Sequence, residues 1–444
     1  MKRTNYILFF VFLFLPLLSR TQEQEPLALE RNPYVEQLSD IPAKDVGIYI
    51  EDLRNGEVVL DVNGEKFFTP ASVTKLVTAS TLMNREKLKS RFTTQVDAQG
   101  KISNGVLDGN ILINVCGDPT IESSHFPENS GFAKKAADAI KAAGIDTIRG
   151  SVAVTYRLPI DQAPPAGWVD EDFIQPYGAE LHAANYADNL IYISMPSGKS
   201  VPETPGITIA RTGRNRRVRG TKIVELTGSR TVANPDPEST LCMSLVNALG
   251  KIGIDVEGRS VPESNKVKKL YVHQSPSYYD ILKSLMYRSD NLMAEGMLRA
   301  AYPGLSREGA TNEEIKLWGD KGIDTKNIVI EDGSGLSRRN KISPYFLAEV
   351  LDWMRLHKNH NNQYVEIFPA AGVSGTMRNF LKGTPLQGRL RMKTGSMRNV
   401  QCYAGFMTDN DAKPTHLVVI MINNFNDRGA LKKALSNLLI KNLL

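Results

Sequence analysis

Apolar positions change their spacing along the chain, and each spacing predicts a different kind of element. Short apolar runs at 46–51 and 58–62 lie on either side of Asn55 and Gly56, a turn pair that predicts a β-hairpin. Farther on, apolar residues recur at helical spacing, so a helix is expected with Ser72 at its start. The chain therefore opens with a mixed α/β pattern.

The middle of the chain has a different pattern of apolar and turn-forming residues. Between about 91 and 276, short apolar runs such as 111–113 and 190–193 are separated by Gly, Pro and Asn, which predicts a β-rich region. Helical spacing interrupts this region twice, at 132–143 and 239–249. In the last third we expect helices at 278–287 and 345–354, strands at 400–407 and 417–422, and a final helix from Arg428.

The two ends of the chain share one pattern of apolar strands beside helices. A two-stranded hairpin cannot bury its apolar face by itself, and the closing strands have a similar pattern and could pair with it in one sheet. We therefore predict a single α/β domain formed by 22–92 and 276–444, interrupted by a large β-rich insertion at 93–275.

The first 21 residues look like a targeting segment. Lys2 and Arg3 precede an uncharged, apolar run at 4–19, and Arg20 follows it. The run is short for a membrane-spanning helix, so 1–21 is predicted to be a secretory signal peptide. The cleavage site lacks the preferred small residues, which leaves an uncleaved anchor open. Either reading predicts export to the periplasm or another extracytoplasmic space.

Composition narrows the function classes. The chain of 444 residues is 41% hydrophobic and 23% charged, a globular balance, and its net charge is +6, half of it from the leader. This mild excess argues against a nucleic-acid binder. The six His have no metal-ligand spacing, so no metal or other cofactor is expected.

The first chemical motif is a Ser-x-x-Lys element at Ser72 and Lys75. Positions i and i+3 share one face of a helix, so the Lys75 amine can reach the Ser72 hydroxyl and take its proton. A helix start also offers backbone N–H groups to a developing oxyanion. Alone the motif is weak, since an ordinary helix cap with a surface lysine gives the same letters.

Two further motifs follow in order. Ser289 and Asn291 form a Ser-x-Asn element between two helical stretches, giving a hydroxyl for proton transfer and an amide for a substrate carbonyl. A Lys-Thr-Gly-Ser element at 393–396 precedes the closing strands, and its cation, hydroxyls and glycine suit a carboxylate-binding wall. The order and context of the three elements make a specific signal.

These three motifs resemble those of the penicillin-recognising serine enzymes. The long interval between the first two, with the loops at 116–120, 165–168, 332–337 and 374–377, is similar to the D-alanyl-D-alanine carboxypeptidase/endopeptidase family of low-molecular-mass penicillin-binding proteins, class C type. The resemblance covers nearly all of the chain after the leader. It implies a β-lactamase/transpeptidase-like domain, with an antiparallel sheet flanked by helices, around the insertion.

The resemblance also implies roles for five residues. Ser72 would be acylated and Lys75 would activate it. Ser289 would relay a proton to the leaving amine, Asn291 would hold the substrate amide, and Lys393 would keep the site electropositive. The oxyanion would lie between the backbone N–H groups of Ser72 and of the serine at 396.

Substrate contacts follow from the third motif. Thr394 and Ser396 would receive the terminal carboxylate, Gly395 would let the substrate lie against the strand, and Met397 would flank the preceding side chain. The substrates implied are peptidoglycan stem peptides ending in D-Ala-D-Ala and their cross-links, with β-lactams as covalent inhibitors. Where some relatives carry an acid for the third residue's amine, the chain reads Val-Thr-Tyr-Arg at 154–157, and Asp161 would be the substitute.

Several alternatives stay open at this stage. A β-lactamase or an esterase could use the same scaffold, although the Glu-x-x-x-Asn spacing at Glu308 reads better as a solvated turn than as a deacylating base. A wall-binding or β-lactam-sensing protein without turnover is the alternative from another class. The basic run at 211–222 suggests weak contact with a wall polymer, and the final helix could lie on a membrane, though packing on the catalytic sheet is favoured.

Overall fold

The computed structural model of the chain describes residues 38, 40–85, 87–157, 164–262, 264–357 and 361–444. The predicted signal peptide at 1–21 and the candidate Asp161 lie outside these residues. The described helices are α1 (Thr74–Asn84), α2 (Phe132–Ala142), α3 (Pro237–Lys251), α4 (Tyr278–Arg288), α5 (Asn291–Ala301), α6 (Arg307–Gly319), α7 (Pro344–His357), α8 (Asn361–Glu366) and α9 (Arg428–Leu443).

The described strands fall into four sheets. They are β1 (Val46–Asp52), β2 (Glu57–Val62), β3 (Thr93–Ser103), β4 (Val106–Val115), β5 (Thr147–Ile148), β6 (Val152–Tyr156), β7 (Leu190–Ser194), β8 (Lys199–Val201), β9 (Thr208–Arg211), β10 (Arg216–Arg217), β11 (Ile223–Leu226), β12 (Arg230–Ala233), β13 (Asp255–Val256), β14 (Val267–Gln274), β15 (Leu390–Met397), β16 (Val400–Thr408) and β17 (Pro414–Asn423).

A five-stranded antiparallel sheet joins the two ends of the chain. Its order is β15-β16-β17-β1-β2, so the N-terminal hairpin pairs with the closing strands through β1 and β17. Every residue of β16 is buried, because helices cover both faces of the sheet. On one face α9 buries its leucines, which confirms that this helix packs on the sheet: Leu431, Leu435, Leu438, Leu439 and Leu443.

The strands between Thr93 and Gln274 form three other sheets. The largest has six strands in the order β13-β5-β4-β3-β14, with β6 paired to β4, and α2 and α3 cover it. Two three-stranded sheets, β12-β7-β8 and β10-β11-β9, share a small apolar core. We keep the domain division at 93–275 as a proposal, because strand pairing does not measure independent folding.

Most predicted elements are confirmed, and two differ in an informative way. The apolar pattern did not delimit the strand β15, because Lys393 and Gly395 interrupt it, although the third motif was expected at a strand edge. Ser72 lies in a single 3₁₀ turn that precedes α1 rather than in the α-helix itself. Of the described helices, none has the length and apolarity needed to cross a membrane.

The basic run at 211–222 is largely neutralised within the structure. Arg214 and Arg216 both pair with Glu225. Farther along, Arg217 pairs with Glu180 and Lys222 pairs with Asp236. The run therefore has a structural explanation, which weakens the case for a wall-polymer contact.

Candidate active site

The first motif lies where the five-stranded sheet meets α1. Ser72 is partly exposed, whereas its neighbours in the turn are buried. Two glycines allow this turn to pack closely. A Cβ on Gly395 of β15 would lie 2.5 Å from the Pro70 carbonyl oxygen, and one on Gly335 would lie 2.0 Å from the Ala71 carbonyl oxygen. The glycine of the third motif is thus needed for the strand to contact the turn.

Lys75 lies on the first turn of α1 with its side chain fully buried. Its Nζ donates to Ser72 Oγ at 3.0 Å, to Asn291 Oδ1 at 2.6 Å and to the Ser334 carbonyl oxygen at 2.5 Å. Three acceptors from three separate segments therefore fix the amine beside the serine hydroxyl. This is the distance at which a proton can pass between the two groups.

The environment of Lys75 favours the neutral amine. Burial lowers the pKa of Lys75 to about 8, although the carboxylates of Asp332, Asp290 and Glu295 oppose this shift. A lysine with a pKa near 8 has a useful fraction of free base at neutral pH, unlike an exposed lysine. The site can therefore supply a base without a histidine.

The second motif bridges two helices. Ser289 ends α4 with a positive φ of 62°, a conformation uncommon for a non-glycine residue, and Asp290 caps α5 by accepting from the Met293 N–H at 2.7 Å. Asn291 donates through Nδ2 to the Tyr177 carbonyl oxygen at 2.7 Å. Its amide retains a second N–H, which can meet a substrate carbonyl.

The third motif adds a second buried cation. Lys393 is fully buried, and its Nζ donates to Ser289 Oγ at 2.8 Å and to the Thr394 carbonyl oxygen at 2.7 Å. Burial, followed by the charge of Lys75, holds the pKa of Lys393 well below its usual value. The hydroxyl of Ser289 is thus held by one lysine, while the hydroxyl of Ser72 is held by the other.

The outer part of β15 is open to solvent. Ser396 is exposed, and Thr394 and Met397 are half-buried. Thr394 donates through Oγ1 to the hydroxyl of Thr376 at 2.8 Å, and Thr376 is exposed in the loop at 374–377. Two accessible hydroxyls on one strand, with a third beside them, can receive a carboxylate.

A buried aspartate organises the floor of the site. Asp332 is fully buried and accepts from Trp168 Nε1 at 2.7 Å, so the loop at 165–168 reaches the loop at 332–337. It also accepts from three other nitrogens, those of Gly335 N, Ser337 N and Asn340 Nδ2, at 2.8–2.9 Å. Several donors to one carboxylate fix the loop that presents the Ser334 carbonyl to Lys75.

Sequence reasoning missed the residues that the inserted segment brings to the site. Besides Tyr177, whose backbone holds Asn291, Asp172 accepts from the Tyr177 hydroxyl at 2.9 Å, and His125 lies 3.5 Å from Asp290. No motif marks these residues, because the contacts join segments far apart in the chain. Glu308 is exposed in the first turn of α6, as expected for a solvated residue.

Known proteins share this architecture. The sequence profile of the D-Ala-D-Ala carboxypeptidase 3 (S13) family matches residues 31–439. D-alanyl-D-alanine carboxypeptidase DacB of Haemophilus influenzae is 26% identical over 406 residues, covering 82% of each chain. The crystal structure of penicillin binding protein 4 from that organism has a TM-score of 0.77 at 22% identity and covers 92% of this chain and 99% of its own. The structure of its complex with a β-lactam has a TM-score of 0.71 at 24% identity, with the same coverage.

The chain belongs to the D-Ala-D-Ala carboxypeptidase 3 (S13) family. It is a low-molecular-mass penicillin-binding protein and a serine peptidase, a hydrolase of the D-Ala-D-Ala carboxypeptidase class. The resemblance, the mixed α/β fold class and the enzyme class expected from the three motifs are therefore confirmed.

Proposed function

We propose that Ser72 is the acylated nucleophile of this D-Ala-D-Ala carboxypeptidase and that Lys75 is its base. The carrying observation is the 3.0 Å contact between Lys75 Nζ and Ser72 Oγ, with the amine fully buried and its pKa lowered to about 8. Neutral Lys75 takes the hydroxyl proton as Ser72 Oγ attacks the penultimate D-Ala carbonyl. The backbone N–H groups of Ser72 and Ser396 then receive the oxyanion.

Collapse of the tetrahedral intermediate requires a proton for the leaving amine. Ser289 is suited to this step because its hydroxyl is held at 2.8 Å by Lys393. Ser289 passes its hydroxyl proton to the leaving nitrogen and is reprotonated by the proton that Lys75 took from Ser72, so that Lys75 is neutral again. The C–N bond breaks, the terminal D-Ala leaves as the free amine, and an ester to Ser72 remains. Water then cleaves the ester and regenerates the serine.

Recognition of the terminal carboxylate is assigned to β15. Thr394 and Ser396 present hydroxyls on the accessible part of the strand, Gly395 admits the close approach, and Met397 flanks the site. Lys393 adds positive potential whenever it is protonated. Cleavage of a peptide cross-link uses the same steps with a larger leaving group, so we extend the proposal to endopeptidase activity on peptidoglycan.

The third-residue amine of the stem peptide needs an acidic partner. Asp172 is half-buried and linked through the Tyr177 hydroxyl to the segment whose carbonyl binds Asn291. Asp172 is therefore a better-placed candidate than the residues at 154–157. We expect Asp172→Asn to raise KM by about tenfold for a stem peptide with a free side-chain amine. The N-acetylated peptide should show no such change.

Location and inhibition complete the proposal. Peptidoglycan lies outside the cytoplasm, which agrees with the signal peptide expected at 1–21. The β-lactam complex of the similar Haemophilus influenzae protein supports covalent inhibition by β-lactams. Weak contact with a membrane or a wall polymer has less support, because α9 buries its leucines and most cations at 211–222 are paired.

The decisive experiment is the intact mass of residues 22–444 with and without benzylpenicillin, beside a Ser72→Ala variant. We expect a one-to-one adduct in the wild type and none in the variant, with release of D-Ala from a pentapeptide by the wild type alone. Rapid destruction of the drug would favour a β-lactamase, and an adduct without any peptide turnover would favour a β-lactam sensor. A wild type that gains no mass would overturn the proposal.

A further inference from the structure

Glu295 lies one helical turn after Asn291 on α5 and reaches the same site by a second route. Its side chain is buried, with 1% of the residue exposed, and Oε1 accepts from the Ser334 N–H at 2.9 Å. The carbonyl of the same Ser334 residue accepts from Lys75 Nζ at 2.5 Å. One helix therefore holds the Lys75 amine twice, directly through Asn291 and indirectly through Glu295 and Ser334.

Several charged groups act on Glu295, among them Lys75 and the buried acid Glu314 of α6. Glu295 Oε2 faces Arg307 Nε at 3.5 Å, which makes an ion pair rather than a hydrogen bond. Asp332 lies near it and acts against ionisation. Burial, the largest cause, raises the pKa of Glu295 to about 7. A carboxyl group with this pKa changes charge near neutral pH, in the range where Lys75 also titrates.

We propose that Glu295 is a positioning residue for acyl transfer: it fixes the Ser334 carbonyl against Lys75, and its negative charge retains the proton on that amine. The inference rests on the proposed role of Lys75 as base. Hydrogen bonding and charge have opposite effects here, because the first orients the amine for reaction while the second delays its deprotonation. The two effects can be separated by substitution.

The other charged groups that face Lys75 are the same in the wild type and in the Glu295 variants. Asp290 caps α5 and Asp332 lies in the loop below, and both favour the protonated amine, whereas Lys393 on β15 is a second cation in the same site. Each is present in the wild type and in every variant used. A change in the pH profile therefore reports the charge of Glu295.

The test measures the second-order rate of acylation by benzylpenicillin from pH 5 to pH 10. Glu295→Gln keeps an oxygen that accepts from the Ser334 N–H and removes only the charge. We expect the midpoint of its acid limb to move to lower pH by up to about one unit. The gain in rate should reach about threefold between pH 7 and 8 and vanish below pH 6, where Glu295 of the wild type is itself protonated.

Two further variants separate positioning from general damage. Glu295→Ala removes the acceptor as well, and we expect its rate on the alkaline plateau to fall about tenfold below that of Glu295→Gln. Glu314→Gln, a change at another fully buried acid on α6, should follow the wild-type profile below pH 8, where Glu314 of the wild type is itself protonated. Thermal unfolding of each variant shows whether the folded fraction is comparable at 25 °C.

The outcomes are distinct. A wild type that is not acylated on Ser72 would overturn the proposed function, and the inference with it. A wild type that is acylated, with a Glu295→Gln profile superimposed on its own, would overturn the charge effect alone. Equal plateau rates for Glu295→Gln and Glu295→Ala would overturn the positioning effect. A shifted acid limb in Glu314→Gln as well would assign the shift to any buried acid rather than to Glu295.

Discussion

Two groups of cationic side chains in this protein have different kinds of partner. Lys75 and Lys393 are fully buried, and both direct their side-chain amines at serine hydroxyls and backbone carbonyls. In the basic run at 211–222, by contrast, the guanidinium groups of Arg216 and Arg217 pair directly with carboxylates. The dense basic run is the more conspicuous feature of the sequence, yet it is to the isolated lysines that we assign the chemistry.

The difference follows from what each environment does to the charge. A carboxylate partner stabilises the charged form of a cation and holds it in one geometry. Burial without such a contact destabilises the charged form, which lowers the pKa of Lys75 to about 8 and that of Lys393 well below its usual value. A buried lysine that contacts hydroxyls is therefore a better indicator of catalysis than a high local density of positive charge.

The largest effect is expected when the reactive cation is removed. Lys75→Met keeps the length and the apolar stem of the side chain but lacks the amine, so Ser72 loses its base. We expect the acylation rate with benzylpenicillin to fall by about a thousandfold or more. Intact mass spectrometry of samples quenched at successive times measures this rate directly.

Its control uses the other group of cations. Arg217→Gln should be acylated at close to the wild-type rate at 15 °C, since the contacts of Arg217 in the described part of the chain are with Glu180, the Asn234 carbonyl oxygen and the Phe173 ring, outside the residues assigned to the site. If Lys75→Met retained the wild-type rate while remaining folded, the assigned base and the contrast between the two groups would both be wrong.

Sequence reasoning recovered this contrast only in part. Helical and strand periodicity located the hairpin, α1, α4 and the closing strands, and the three motifs supplied Ser72, Lys75, Ser289, Asn291 and Lys393, whose roles stay a proposal. The contacts that hold these residues were not predictable, because they join distant segments. Trp168 with Asp332 and Tyr177 with Asn291 are 164 and 114 positions apart, and no local period encodes such pairs.

The second effect concerns the paired cation. Arg217 has 5% of its surface exposed, pairs with Glu180 and donates to the Asn234 carbonyl oxygen at 3.3 Å. Arg217→Gln leaves Glu180 as a buried carboxylate without its cation, so we expect a loss of about 3 kcal/mol in unfolding free energy. Urea titration followed by circular dichroism measures it. A loss of activity without a loss of stability would place Arg217 in the catalytic group instead.

A third effect tests the same reasoning on an acid. Glu314 is fully buried on α6, and burial is the largest cause that raises its pKa to about 8. The folded state keeps a proton that the unfolded state releases above about pH 4.5. The stability that the protonated Glu314 carboxyl group contributes is therefore fully present at low pH and is lost as the pH rises towards 8.

Glu314→Gln removes that pH dependence. We expect the variant to match the wild type near pH 4 and to exceed it by roughly 3 kcal/mol at pH 8. Urea unfolding at a series of pH values gives both curves. Parallel curves would mean that Glu314 is ionised in the folded protein, with a charge partner among the neighbouring groups.

The smallest effect is expected at the exposed end of the basic run. Arg216 pairs with Glu225 at 2.8 Å, but its side chain is 45% exposed, and Arg214 also contacts Glu225. Water already solvates the guanidinium group, so Arg216→Gln should leave both the unfolding midpoint and the acylation rate unchanged within error. A clear drop in hydrolysis of polymeric peptidoglycan by this variant, with small-peptide hydrolysis intact, would instead identify the run as a wall-binding surface. The charge of a cation would then matter even where its ion pair contributes nothing to folding.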